Sequence, residues 1–263
     1  MNPAVPTWAG VAASAALVLL AVAVAWHGRL HLARDIAIAA TRAGVQLAAV
    51  GAVLLLVFQH TGLVGASGWL ALMVLVAGQV AARRARGLPR ALPIATAAIA
   101  AGAAATLGAL LALGVIAAQA RVVIPVGGMV VSGAMQATAL ILIRLRDEAR
   151  TARPAIEARL SLGLPATDAF APYLRTTLRT ALIPAVDSTK TVGLISLPGA
   201  MTGLILAGVD PFTAIRYQIV VMYMLLAAAA LASLTAGRLA ERALFDDAHR
   251  LRPLTTEPRR ERA

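Results

Sequence analysis

Apolar residues occupy this chain in long blocks, and the polar residues fall between the blocks instead of alternating with them. A run of about 20 apolar residues is what a helix needs to cross hydrocarbon. Seven such spans are predicted, over residues 8–26, 36–58, 63–82, 93–118, 122–143, 181–208 and 213–237. The predicted fold class is all-α: a polytopic integral membrane helical bundle of about seven transmembrane helices. A single transmembrane domain covers residues 1–251, and residues 252–263 form a charged C-terminal tail. No internal repeat divides the chain.

Two stretches depart from the simple alternation. The sixth span is longer than a bilayer requires, carries Asp187 and Lys190 near its start, and has Pro198-Gly199 midway. A proline removes one backbone hydrogen bond and kinks a helix. The span therefore reads as two half-helices, tolerated only where protein or a cavity satisfies the freed groups. The second departure is residues 144–180, with seven Arg and four acids. Here Pro154 suits the first turn of a short helix, where its missing N–H costs nothing. Gly163 suits its end, because glycine takes the left-handed conformation cheaply. Ile156 and Leu160 share a face, Glu157 lies toward the positive end of the helix dipole, and the small Ala158 permits close approach. A further helix is predicted over roughly 170–182, with Phe170, Leu174 and Leu178 in one stripe and Arg175 and Arg179 on another face. By residue pattern alone, the segment is either a docking element for a soluble partner or an amphipathic loop resting on lipid phosphates.

Charge orients the spans. The chain has 263 residues, 60% hydrophobic and 14% charged, with mean hydropathy +0.80. Its net charge of +12 lies in blocks between apolar runs, as the positive-inside rule expects, and not over one face of a soluble fold. No nucleic-acid partner is implied. Arg29 and Arg34 sit in the first connection, Arg83, Arg84, Arg86 and Arg90 in the third, and seven Arg follow residue 237. The alternate connections hold only Arg121 and Asp210. This predicts an N-terminus outside and a C-terminus in the cytoplasm. The first apolar run has no positive charge before it, so it reads as a retained span and not a cleaved leader. There is no Cys, which excludes disulfides and thiolate metal sites.

Ionisable and amide groups inside spans are candidate functional groups. Asp187 and Lys190, three apart, can pair, either to lower their own insertion cost or to form part of a solute pathway with Ser188, Thr189 and Thr191 beside them. Gln46, Gln136 and Gln218 can serve as interhelical hydrogen-bonding groups or line a pathway; Gln46 and Gln136 are taken as pathway candidates. Arg42, four before Gln46, can snorkel to headgroups. Gly199 and Gly203 have the spacing of a close helix contact, and with Pro198 they form a packing or hinge element. Gly127, Gly128 and Gly133 suggest another close contact. The four His (His27, His31, His60, His249) sit at span ends or in the tail. Met129, Met135, Met201, Met222 and Met224 are packing residues first and soft ligands second. No metal site with recognisable spacing is present, and no catalytic constellation or cofactor motif is found.

The run Glu157-Ala158-Arg159 to Gly163 resembles the E-A-A-x-x-x-G coupling motif of ABC transporter permeases, with Arg159 in place of the second Ala. The run from Ile183-Pro184-Ala185-Val186-Asp187-Ser188-Thr189-Lys190-Thr191-Val192-Gly193 through Pro198-Gly199-Ala200-Met201-Thr202-Gly203, then Gly208-Val209-Asp210-Pro211 and Arg216-Tyr217-Gln218, resembles the FetB-type permease family. A weaker likeness extends from Arg42-Ala43-Gly44-Val45-Gln46-Leu47 to about residue 250. The resemblance implies a permease subunit of the inner (plasma) membrane that exports iron or another metal-related solute. It also implies Glu157, Ala158, Arg159 and Gly163 as the contact to a separate ATP-binding cassette subunit, and a homodimer of the permease. A plant branch of the family is linked to aluminium tolerance. The chain has no G-x-x-x-x-G-K-[ST] loop, so ATP would be bound by the partner and not by this chain. Two rivals stand beside this reading. An ion-coupled secondary transporter without an ATPase would suit the broken sixth span and its Asp/Lys pair. A membrane-embedded enzyme would need an acid/base constellation that is not found.

Overall fold

The computed structural model describes residues 7–29, 32–60, 62–195 and 197–254. His31, Ser196 and residues 255–263 of the charged tail lie outside them, as does the side chain of His60. The described residues form nine helices: α1 (Trp8–His27), α2 (Ala33–His60), α3 (Gly62–Arg84), α4 (Ala91–Ala112), α5 (Ala120–Thr151), α6 (Arg153–Ser161), α7 (Ala166–Thr191), α8 (Gly199–Leu206) and α9 (Pro211–Leu244). The protein is an all-helical, polytopic membrane bundle. Five helices (α1, α3, α4, α5 and α9) are long and apolar enough to cross a membrane.

Local sequence sets the helix ends. Asp210 accepts from the Thr213 N–H at 3.0 Å and Pro211 takes the first position of α9, where its missing N–H costs nothing. The fourth predicted span stops at Ala112, short of residue 118, because Gly114 turns left-handed (φ 64°). Val115 N–H then reaches back to the Leu110 carbonyl at 2.9 Å and Gly114 N–H to Leu111 at 3.1 Å, the paired bonds that close a helix on glycine. Gly208 ends α8 in the same way. The sixth predicted span is broken. α7 ends at Thr191, Gly193 takes φ 81°, and α8 restarts behind Pro198 as a helix of eight residues. The break is wider than the Pro-Gly pair alone suggests, because Gly193 also leaves the helix.

Helix α5 is the centre of the packing, against α3, α4, α7 and α9. The contacts are close because the facing residues are small: Ala77, Ala81, Ala95, Ala98, Ala134, Ala228, Ala232 and Ala236 are all buried. Without a hydrophobic drive between helices in lipid, such small-residue surfaces supply the dispersion contact. A Cβ at Gly102 of α4 would stand 3.0 Å from the Ala228 carbonyl oxygen and 3.0 Å from the Ala232 Cβ, so α4 and α9 nearly touch there. Gly127 is likewise pressed against Leu70 of α3, and Gly128 lies beside Met73. In contrast, α1 packs against α2 alone, and α2 meets the rest through α3 and α5.

This packing sorts charge. Leu70 lies by Gly127, and Arg146 donates to the Arg86 carbonyl at 2.8 Å, so α3 and α5 run parallel. Arg153 reaches the Leu251 and Arg252 carbonyls (3.2 and 3.5 Å), which puts the end of α9 beside the start of α6. The basic ends of α3, α5 and α9 therefore share one pole with α6.

Gly102→Leu is expected to cost on the order of 1–3 kcal/mol by overpacking, read as a lower unfolding midpoint in detergent. Gly108→Leu on the same helix, where a Cβ meets open space, should leave the midpoint unchanged or raise it. Equal effects at the two sites would contradict the α4–α9 packing.

Candidate functional site

Residues 144–180 build the basic pole from the expected parts. Pro154 lies in the first turn of α6, and Gly163 ends it at φ 86°, with its N–H on the Leu160 carbonyl at 2.9 Å. Ile156 is fully buried and Leu160 packs on the core, so this face holds α6 down. Glu157, Ala158 and Ser161 face outward. Glu157 sits 2.7 Å from Arg153, an exposed pair worth a few tenths of a kcal/mol. Leu162, just past the helix, is 81% exposed. This large apolar side chain stands exposed among charges at the pole, and the sequence motif does not mark it.

Arg159 has a structural cause. Pro172 lies inside α7, and its missing N–H leaves the carbonyl of Asp168 without a helical donor. The Arg159 guanidinium donates to that carbonyl through Nη2 at 3.3 Å, linking α6 to α7 across the turn. The alanine of the general motif could not do this.

The C-terminal loop braces the same pole. Phe245 stacks edge-on against the fully buried Phe170 at 5.8 Å. The Ala166 N–H donates to His249 Nδ1 at 3.4 Å. Arg252 donates to the Leu244 carbonyl through its N–H at 2.8 Å and to the Phe245 carbonyl through Nε at 3.2 Å, so the tail is anchored to this point. Asp246 caps the loop, and the backbone N–H of Arg250, helped by the Arg250 side chain and the Ala248 N–H, holds its carboxyl below the usual carboxylate range. The second predicted helix begins earlier than residue 170 and runs further than 182. Its stripe of Phe170, Leu174 and Leu178 does face the core, while Arg175 and Arg179 are exposed.

α7 continues from this pole to a cavity of about 1000 Å³ between α2, α3, α5, α7 and α9. Ser188, Thr189, Ser132, Gln136, Trp69 and Arg84 are its polar lining, and Met73, Met129 and Met222 stand among its apolar walls. Gln136 donates to Ser132 Oγ at 3.4 Å. Ser188 and Thr189 both donate to the Ala185 carbonyl (3.0 and 2.8 Å), so each hydroxyl hydrogen is engaged within α7. The Trp69 indole N–H is buried without a partner.

The other predicted residues do not converge there. Gln46 lies with Arg42 on an exposed face of α2, in a separate shallow groove. Lys190 Nζ is 3.8 Å from Asp187 Oδ1, both side chains more than half exposed and outside the cavity lining. Thr191 donates to the Asp187 carbonyl at 2.9 Å. The pair lies in the last turns of α7, about 31 Å along that helix from its start at Ala166. Gln218 is buried with Oε1 unpaired. A Cβ at Gly199 or Gly203 meets open space within the single chain, and Pro198 caps α8. Among the described residues no group of three or more His, Cys, Asp or Glu comes together. Arg84, Trp69 and Met73 were not singled out by sequence. Arg84 was absorbed into a loop charge count, and the other two look like ordinary span residues.

A family model described as "Uncharacterised protein family (UPF0014)" matches residues 8–245. The chain is 41% identical over 243 residues to the "UPF0014 membrane protein STAR2" of Oryza sativa, covering 91% of this chain and 84% of that one. It is 38% identical over 244 residues to "Protein ALUMINUM SENSITIVE 3" of Arabidopsis thaliana, with 91% and 88% covered. Against the "Probable iron export permease protein FetB" of Escherichia coli it is 38% identical over 239 residues, with 89% and 91% covered. No solved structure matches.

The Arg159–Asp168 link predicts a rescue. Arg159→Ala should lower amide protection across residues 163–169 by about 1 kcal/mol, measured by hydrogen exchange. In a Pro172→Ala background, which restores the helical donor, the same change should cost little. Equal losses in both backgrounds would contradict the assignment.

Proposed function

The chain belongs to the family described as uncharacterised protein family UPF0014, and on that premise we propose that it is the membrane-spanning permease subunit of an ABC transporter, driven by a separate ATP-binding subunit. In this reading the basic pole faces the cytoplasm and the chain crosses the plasma membrane seven times, with the N-terminus outside. Solute moves outward. The likeness to a protein named as a probable iron export permease makes iron, or a solute that carries it, the first candidate.

The observation that supports this reading best is the continuity of α7. One helix of 26 residues joins the turn after α6 to the cavity wall at Ala181, Pro184, Ala185, Ser188 and Thr189. At a rise of 1.5 Å per residue it is about 39 Å long. The Arg159 link and the C-terminal brace couple its outer end to α6. A partner that closes on ATP and pushes α6 through Glu157, Ala158 and Leu162 would tilt α7 as a lever and change access to the cavity. Gly163 gives α6 its end and lets Leu162 stand out. The break at residues 192–198 decouples α7 from α8, so the lever can move without dragging the far pole.

A second copy completes the assembly in this proposal. Asp187 and Lys190 are exposed near the end of α7, which in this reading lies within the membrane, where facing lipid would be costly. Gly199 and Gly203 present an open small-residue face on α8 nearby in sequence, suited to close helix contact. Gln46 and Arg42 on the exposed face of α2 supply further polar contacts for a neighbouring chain or for the pathway between copies.

Glu157→Ala with Gly163→Leu should insert normally and abolish stimulation of the partner's ATP hydrolysis by the permease. Leu162→Asp alters only an exposed side chain and should do the same. Stimulation at the unaltered level in both variants, or transport that follows an ion gradient with no ATPase present, would overturn the proposal.

A further inference from the structure

The cavity carries more information than its position, because its charge is one-sided. Arg84 is the only charged residue among the described residues that line it. No carboxylate or imidazole joins it, and the chain has no thiol. The nearby acid, Asp187, is turned outward to Lys190. No ion pair or side-chain hydrogen bond engages Arg84 among the described residues, so its guanidinium is available. Resting on the transport reading above, we infer that the cavity takes its solute as an organic anion with an apolar body, with Arg84 as the anion's partner, and that it rejects a bare metal cation.

A hard cation must exchange water for carboxylate, carbonyl or imidazole ligands. The side chains of this wall offer no carboxylate or imidazole, and the one fixed charge repels it. Arg84, exposed at the rim on the basic pole, sets the sign of charge met by whatever enters. An anion meets the opposite situation. Arg84 presents several N–H donors in a fixed fork. Trp69 stands fifteen positions before Arg84 on α3, about 22 Å of helix away. Along this length the wall is largely apolar, with Met73, Met129, Met222, Leu140 and Ile143. The body of the solute is therefore apolar and long. Thioethers adapt to irregular apolar shapes, which gives the three Met a role without a metal. If a metal crosses, it does so wrapped in an anionic, partly apolar chelator.

Trp69 also makes the inference measurable. The chain has three Trp, and Trp8→Phe with Trp26→Phe leaves Trp69 as the sole reporter, inside the cavity. The purified permease in lipid nanodiscs is titrated with ω-bromohexadecanoate and with ω-bromohexadecyl-trimethylammonium, whose bromine quenches indole fluorescence on contact. The carboxylate should quench saturably, and the ammonium compound should bind at least tenfold more weakly. Arg84→Gln should weaken the carboxylate at least tenfold, and Arg84→Lys should restore most of the loss. Neither Mn²⁺ nor Ag⁺ should compete. No saturable quenching, equal affinity for the two tails, indifference to Arg84→Gln, or competition by either metal would overturn the inference. The titration needs no ATPase, so its failure and a failure of the coupling proposal are told apart.

Discussion

An arginine left in hydrocarbon is costly, and the arrangement of this protein follows from keeping its guanidinium groups out of it. With 23 arginines in the chain, the helices that carry them on their ends must run the same way. α3, α5 and α9 do so, and their C-terminal ends meet at one pole with α6 and the start of α7. The remaining surface of these helices is then free to be apolar and small. That permits the close Ala and Gly contacts of α4, α5 and α9, and leaves a single cavity wall along which polarity is sparse.

Much of this was legible in the sequence. The block pattern located the five long apolar helices, with α4 ending early at Gly114, but not α7, and the arginine asymmetry anticipated a basic pole. Pro154 and Gly163 bracketed α6 almost to the residue, since both act through local backbone geometry. The break in the sixth span was visible at Pro198, and Gly193 widened it. What sequence could not give was the third dimension of α7. The pattern predicts a helix over 170–182 and a separate span from 181, whereas α7 runs unbroken from Ala166 to Thr191 and carries Asp187 and Lys190 near its end. Gln46 and Gln136, grouped by chemistry, are separated by the fold. Arg159 looked like a flaw in a motif, and its cause, Pro172, lies thirteen positions downstream, beyond the reach of any short pattern. The His249 and Phe245 contacts depend on how the chain returns after α9, and composition alone marked that region as a tail.

The basic pole and the cavity are two ends of one mechanical element. A helix transmits force well only if both ends are held, and α7 is held outside by Arg159, Phe170 and the C-terminal loop. Inside, its residues from Ala181 to Thr189 form part of the cavity wall, so in the proposed mechanism a small tilt at α6 would alter the space open to a solute. In this account Arg84, at the same pole as α6, sits where an anion entering from the basic side would first be held. The proposed coupling surface and solute site are thus joined through α7, although they are distant in sequence.

The account depends first on which side of the membrane the basic pole occupies. The chain has no native cysteine, so Ser161→Cys at that pole and Ala117→Cys at the other can each be labelled alone. A membrane-impermeant maleimide should modify Ser161→Cys only in inverted vesicles and Ala117→Cys only in intact, right-side-out cells. Modification of Ser161→Cys from the outside would contradict the account, because no ATP-binding subunit could then reach α6.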